Sequence, residues 1–409
     1  MDFAASIFLG VKRSARAGFT LVEIMVSIAI LLLLMSVMAA MIGLVSPVVK
    51  QAGNATNSFQ QARAGYGAMT QTLAQATLMT YWDYSGTDTS TGSTNQTRTA
   101  ANAATFIPTG FARTSQLHFV SGLASATMLA TAATLVPGGT STVTPGDAVF
   151  FQAPLGRSNN NATYQPLNSS LNEVGFYVQF ASDSSDWPSF VSGGIGADYR
   201  FRLMEWVPQT QNVHVYDSTV LSSTYNLSWI NSYLPQVGVS ATATQDAPRV
   251  LAENIVLLVI LPKLAPEDET SIANTTGYTP GTLLCPNYEY DSRSWQSGYH
   301  TVSSGNNAAV QSGNLGSSSY ALTSLMRNQL PPLVDVVMVA IGDSDALRLQ
   351  KLHGSTLPPE LAVPSTSFLA SANLNSDMQN YETQLTRHHI TYKVFWSTVQ
   401  IKGAKWSLN

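Results

Sequence analysis

Glu23 is the only charged residue in an apolar run that extends from Phe19 to Val45, FTLVEIMVSIAILLLLMSVMAAMIGLV. A carboxylate near a bilayer interior costs on the order of a few kcal/mol, so it needs a partner or a task. If the chain is cut between Gly18 and Phe19, the new α-amino group is a natural partner, in the same subunit or a neighbour. The alternative is a carboxylate that snorkels to the headgroups or is held by the positive end of a helix. Lys12, Arg13 and Arg16 precede the run and form its basic flank.

Other constellations carry less. There is no G-x-S-x-G elbow, no phosphate-binding glycine loop and no H-E-x-x-H. His388 and His389 are adjacent, without acidic or cysteine companions at ligand spacing, and read as surface residues. Glu267, Asp268 and Glu269 beside Pro266 read as a solvated turn rather than a calcium site. Asp343 and Asp345 are spaced like part of a calcium loop, but no glutamate follows at the required distance. They are weak candidates for a metal, and the simpler reading of Asp343 is a turn or N-cap residue. Tyr81, Trp82 and Tyr84 could stack on a sugar, although burying a helix end is the plainer use.

The elements that must hold these residues follow from patterning. As a helix the apolar run would be about 40 Å long, more than the ~30 Å hydrocarbon core needs. The basic flank stays cytoplasmic by the positive-inside rule, which puts the bulk of the chain outside. A cleavable signal peptide fits worse, because the run is long and lacks a small-residue cleavage site after it. Beyond Pro47, the residues Val48, Ala52, Ala55, Phe59, Ala62, Tyr66, Met69, Leu73 and Ala76 form a helical stripe of period ~3.5. This predicts an amphipathic helix over 47–84 that packs on the protein's own sheet and ends near Tyr81–Tyr84.

Residues 85–105 are poor in apolar side chains and read as a flexible loop. Strands are predicted at Ser115–Val120, Asp147–Gln152, Glu173–Phe180, Tyr199–Val207, Arg249–Leu261, Leu333–Ile341 and Thr391–Ile401. The VLLVIL run inside the fifth is too short for a second membrane span and reads as a buried strand. Short helices are expected near Asp345–Leu352 and Asp377–Arg387, with polar inserts at 265–330 and 353–376.

Only 11% of the 409 residues are charged and the net charge is -4, with no basic block after the flank, so nothing suggests a nucleic-acid partner. The single cysteine, Cys285, excludes an intrachain disulfide and a cysteine-based zinc site. Packing must hold the fold.

Gly18-Phe19-Thr20-Leu21-Val22-Glu23, behind basic residues and ahead of an apolar helix, resembles the processing site of type IV pilins and type II secretion pseudopilins. The resemblance implies a prepilin peptidase that cuts after Gly18 and N-methylates Phe19, with Glu23 as the assembly carboxylate. It also implies other pilin or pseudopilin subunits as partners. The mid-helix proline of many major pilins is absent, since Pro47 lies at the far end of the run. Farther on, RVLAENIVLLVILPK, YEYDSRSWQSG and LPPLVDVVMVAIGD resemble the C-terminal pattern of J-type minor pseudopilins. The closing TYKVFWSTVQIKGAKWS resembles the last strand of the Verru_Chthon cassette protein C group.

The expected architecture is α+β and pilin-like, a long N-terminal helix packed on an antiparallel sheet. Its parts are a leader (1–18), a transmembrane and assembly helix (19–46), an amphipathic helix (47–84) and an extracytoplasmic β-rich head (85–409). The expected role is that of a non-catalytic minor subunit. It would sit in the bacterial inner membrane with its head in the periplasm, then join a secretion or pilus-like filament, with no cofactor beyond the calcium considered above. The alternative is a pilin-like adhesin that binds a polysaccharide or another surface ligand.

Overall fold

The computed structural model describes residues 20–98, 102–125, 127–128, 133–158, 169–182, 198–217, 227–242, 245–272, 280–285, 287–293 and 328–406. Gly18, Phe19, Lys12, Arg13 and Arg16 lie outside the described residues. The chain divides into two compact units, Met1–Gly53 and Asn54–Asn409. Helix α1 (Leu21–Leu73) supplies the described part of the first unit and opens the second.

In the first unit α1 is apolar on every side and exposed, with no buried residue from Leu21 to Gly43. At 1.5 Å per residue this segment is about 35 Å long, enough to cross a bilayer. A helix that is apolar all round and has no protein to cover it is suited to lipid. The helix continues through Pro47 without interruption.

The second unit begins inside the helix. There Ala62, Tyr66, Met69 and Leu73 of the sequence stripe are buried at i, i+4 and i+3 spacing, Phe59 is partly buried, and Ser58 beside it is buried. The helix ends at Leu73 and not near residue 84. Tyr81–Tyr84, expected to close it, instead open strand β1 (Tyr81–Asp88). Strand β1 pairs with β2 (Ser93–Thr97) and β3 (Phe106–Thr114) in a three-stranded antiparallel sheet. The loop expected over 85–105 is therefore largely hairpin. Its turn is fastened by Asp88, whose Oδ1 accepts from the Ser90 amide at 2.9 Å, the Ser90 hydroxyl at 2.7 Å and the Thr105 hydroxyl at 2.7 Å.

The main sheet uses β4 (Val120–Leu123), β7 (Asp147–Ala153), β8 (Asn172–Ser182), β9 (Tyr199–Trp206), β10 (Arg249–Glu253) and β12 (Tyr290–Asp291). Between β4 and β7 lies a small ribbon of β5 (Thr127–Met128) and β6 (Ala133–Thr134). The spatial order is β10-β9-β8-β7-β4-β12, antiparallel throughout. The strand expected at Ser115–Val120 is mostly irregular, with pairing starting only at Val120. Both faces are covered. Val149, Phe151, Val174, Phe176 and Leu203 face the main core, while Phe150, Tyr177, Met204 and Trp206 lie under helix α2 (Ser228–Asn231) through Trp229 and Ile230. Double coverage explains why EVGFYVQF is buried at every position except the half-buried Gln179.

A second three-stranded sheet runs β11 (Ile255–Lys263), β13 (Leu333–Ile341), β14 (Tyr392–Gln400), with β13 central. Helices α3 (Pro266–Ile272), α4 (Asp343–His353) and α5 (Leu374–Arg387) flank it in sequence. The run RVLAENIVLLVIL, read as one strand, is split between the two sheets at Asn254. That residue has φ +60, a left-handed conformation asparagine tolerates better than most. Its amide donates to Phe201 O of β9 at 2.7 Å, and its carbonyl accepts from Ile341 N of β13 at 2.9 Å. VLLVIL is a buried strand, as expected.

Candidate assembly segment and the interior of the head

Glu23 sits in the first turn of α1. Its amide donates to Thr20 O at 3.0 Å and to Thr20 Oγ1 at 3.3 Å, so Thr20 caps the helix one turn ahead of the carboxylate. Ser27 Oγ folds back onto Glu23 O at 2.7 Å, which hides a hydroxyl from the apolar surroundings. The side chain of Glu23 is exposed, among Leu21, Val22, Ile24 and Met25, which are exposed too. It is a lone acid near the start of an unpacked apolar helix.

Farther along, α1 becomes part of the head. Tyr66 OH donates to Val336 O of β13 at 2.8 Å, and Ser58 Oγ donates to Ile341 O at 3.2 Å. Gly65 permits close approach to β10, since a Cβ there would lie 2.9 Å from Ala252 Cβ. The two sheets are tied by Asp147 of β7, whose Oδ2 accepts from Ile260 N of β11 at 2.7 Å.

The interior holds a row of polar residues that sequence reasoning missed. His118 lies between Trp229, whose Nε1 donates to Nδ1 at 3.1 Å, and Asp291, whose Oδ1 is 2.7 Å from Nε2. The Trp229 donor assigns the ring proton to Nε2, which then donates to Asp291. Burial lowers the His118 pKa more than Asp291 raises it, so the ring is neutral. Both side chains are essentially inaccessible. The pair resembles half of a catalytic triad but is out of reach of a substrate, and its second ring nitrogen is occupied.

Asp147 and Glu173 are also buried, and desolvation pushes both carboxyls up to about 8. Glu173 Oε1 accepts from the amides of His214 and Val215 at 2.9 and 2.7 Å. Asp147 thus joins strand to strand, and Glu173 fastens a loop to β8. The signal that could have found them is the placement of single polar residues in otherwise apolar strands, as in GDAVFFQ and NEVGFYVQF.

The weak metal candidates have protein partners. Asp343 Oδ1 accepts from Arg200 Nη1 at 2.8 Å, and Asp345 Oδ2 accepts from the Thr391 amide at 2.8 Å. Asp343 is the first residue of α4, and the cap position expected for it belongs to Gly342. Glu267, Asp268 and Glu269 do not form a solvated turn. They open α3, and Glu269 is buried, accepting from the amides of Gly281 and Leu283 at 2.6 and 3.0 Å. Among the described residues no group of three potential ligands could hold a metal ion. His388 and His389 are exposed after α5. Tyr81, Trp82 and Tyr84, expected to cover the helix end, are exposed instead.

Residues 13–39 match the family described as the prokaryotic N-terminal methylation motif. Comparison with curated proteins and with solved structures returned no match. The motif is that of type IV prepilin-like proteins, and its apolar helix fits a membrane-anchored, single-pass chain. With a mostly antiparallel head behind that helix, the fold is α+β and pilin-like.

Proposed function

We propose that this protein is a non-catalytic minor pilin or pseudopilin subunit. A prepilin peptidase would cut it after Gly18 and methylate Phe19, and it would then join other subunits in a type II secretion or type IV pilus-like filament. The observation that carries this reading is one helix with two fates: an exposed apolar part with a single carboxylate, Glu23, and a part buried in the head. The methylation motif covers the first of these. The domain scheme of leader 1–18 and transmembrane helix 19–46 belongs to the same reading, with the head outside the inner membrane by the positive-inside rule.

Assembly would proceed by packing of the apolar helices, with Glu23 neutralising the amino terminus of a neighbour. Low-dielectric surroundings favour that pairing strongly over an unpaired carboxylate. The head is bulky and carries the hairpin β1–β3, which supports a place at or near the filament tip rather than repeated stacking along the shaft. The likeness to J-type minor pseudopilins and the Verru_Chthon group is supported by β11, β13 and β14 forming one sheet, while RVLAE and Tyr290–Asp291 of the same pattern pair in the main sheet. Trp295 of the same pattern lies outside the described residues. Gold labelling of filaments in cells making a tagged chain tests the placement. Label confined to one end is expected, and even label along the shaft contradicts it.

A second reading, a pilin-like adhesin for a polysaccharide, is favoured by one observation. Trp82, Tyr84 and Phe111 stand exposed on one face of the hairpin, with the Tyr84 and Phe111 rings stacked at 5.1 Å.

A further inference from the structure

Beside that aromatic face lies a cavity of about 290 Å³. Its wall is made by the loop after α1 (Thr77–Thr80), by Asn328–Leu330 and by the chain end at Gly403 and Lys405, with Arg113 of β3 reaching in. Among the described residues that line it are two cations, Arg113 and Lys405, and no acid. The pair gives the cavity a local positive potential in a chain of net charge -4.

Arg113 is held in place. Its Nη1 donates to Gln329 Oε1, and its own carbonyl accepts from Asn328 Nδ2 at 2.7 Å. The guanidinium carbon lies 6.0 Å from the ring centroid of Trp82, its register partner on β1. That cation–π contact joins the cavity to the exposed row, because Trp82 and Tyr84 follow each other on one face of β1 at a spacing of about 7 Å. One continuous surface therefore offers a hydrogen-bonded cation, an exposed cation, amide and hydroxyl side chains, and aromatic faces.

We propose that this surface binds an acidic saccharide, a uronate-bearing oligosaccharide whose carboxylate enters the cavity between Arg113 and Lys405 while a neighbouring pyranose stacks on Trp82 and Tyr84. A pyranose ring has an apolar C–H face and a hydroxyl rim, which suits an amphipathic aromatic beside polar side chains. A guanidinium matches a carboxylate in geometry and charge. The cavity is of a size for one sugar residue, at the low end for small-molecule sites. A nucleic acid suits it less, since strand binding draws on several phosphate contacts and the described lining supplies two cations. The inference deepens the adhesin reading of the head and is independent of processing at Gly18.

The test is calorimetric titration of the full chain in detergent micelles with trigalacturonate, with maltotriose as the neutral control and an eight-residue thymidine oligonucleotide as a competing polyanion. Saturable trigalacturonate binding that weakens with salt is expected, without saturable maltotriose binding. Lys405→Gln and Trp82→Ala alter exposed side chains, and each is expected to weaken binding about two- to fivefold with the melting temperature unchanged. No trigalacturonate binding, or binding indifferent to both substitutions, overturns the proposal. So does oligonucleotide binding as tight as the saccharide. Maltotriose binding that survives both substitutions would uphold the adhesin reading and overturn this site.

Discussion

The Tyr66 hydroxyl on α1 donates to the Val336 carbonyl on β13 at 2.8 Å, which leaves its oxygen to accept from Ser397 Oγ of β14 at 2.7 Å. One helix side chain thus reaches two strands of the second sheet, including the central one. Burial raises the phenol pKa above its ordinary value, so the hydroxyl keeps its proton at any physiological pH. Tyr66→Phe is expected to cost about 1–2 kcal/mol, because Ser397 also loses a partner. A shift of the urea midpoint for the full chain in detergent checks it.

The neighbouring glycines give an opposed pair of outcomes. A Cβ at Gly65 would meet Ala252 Cβ at 2.9 Å and Leu251 O at 3.3 Å, whereas nothing lies within 4 Å of one at Gly67. Gly67→Ala is expected to stabilise by about 0.5–1 kcal/mol through helix propensity. Gly65→Ala is expected to destabilise by about 1–3 kcal/mol of overpacking, less that same gain. Thermal melts of both variants decide it. Equal shifts would mean that α1 does not approach β10 as closely as described.

The head should not survive removal of the helix. Tyr66, Met69 and Leu73 are buried in its core, and each contributes about 1.5–3 kcal/mol. Their sum is comparable with the about 5–15 kcal/mol net stability of a typical domain. A fragment starting at Asn54 is expected to melt cooperatively, and one starting at residue 85 to aggregate or bind a hydrophobic dye. A folded 85–409 fragment would contradict the packing.

Stability should fall as pH rises from about 5 to about 8. Asp147 and Glu173 carry folded pKa values of about 8 against ordinary values near 4, so the native state holds their protons where the unfolded chain has lost them. Folding must then take up protons, which costs more as pH rises, and stability drops across that window. His118 acts the other way. Its lowered pKa makes stability recover as pH rises toward 6.5, a single proton against two. Asp147→Asn, which preserves an acceptor for Ile260 N, is expected to flatten the slope. Melting temperatures at pH 5 and pH 8 for both proteins provide the measurement.

Glu23 separates assembly from processing. Glu23→Ala is expected to leave cleavage after Gly18 intact while the chain disappears from sheared filament fractions. Retention of the variant in filaments at normal levels would remove the carboxylate from the assembly account.

Much of this was legible in residue spacing. The apolar run with Glu23 is specific because a charge in lipid is expensive, and the 3.5-period stripe from Phe59 to Leu73 falls on the buried face. β7, β8, β9 and β13 appear within a few residues of their expected limits, since largely buried strands are dense in apolar side chains, and the half-buried β14 does so too. The failures are equally physical. Asn254 splits one apolar run between two sheets through a backbone conformation that no side-chain pattern announces. The β1–β2 hairpin is poor in apolar side chains beyond its first residues, so its composition resembled a loop. His118, Asp291 and Glu173 find their partners across long sequence separations, which only the fold brings together.

The account rests most heavily on processing of the amino terminus. Mass spectrometry of the N-terminal peptide, from cells with and without a prepilin peptidase, tests it most directly. A peptide that begins at N-methylated Phe19, seen only when the peptidase is present, is the predicted result. An intact leader in both samples would contradict it and leave a signal-anchored chain whose function lies in the head.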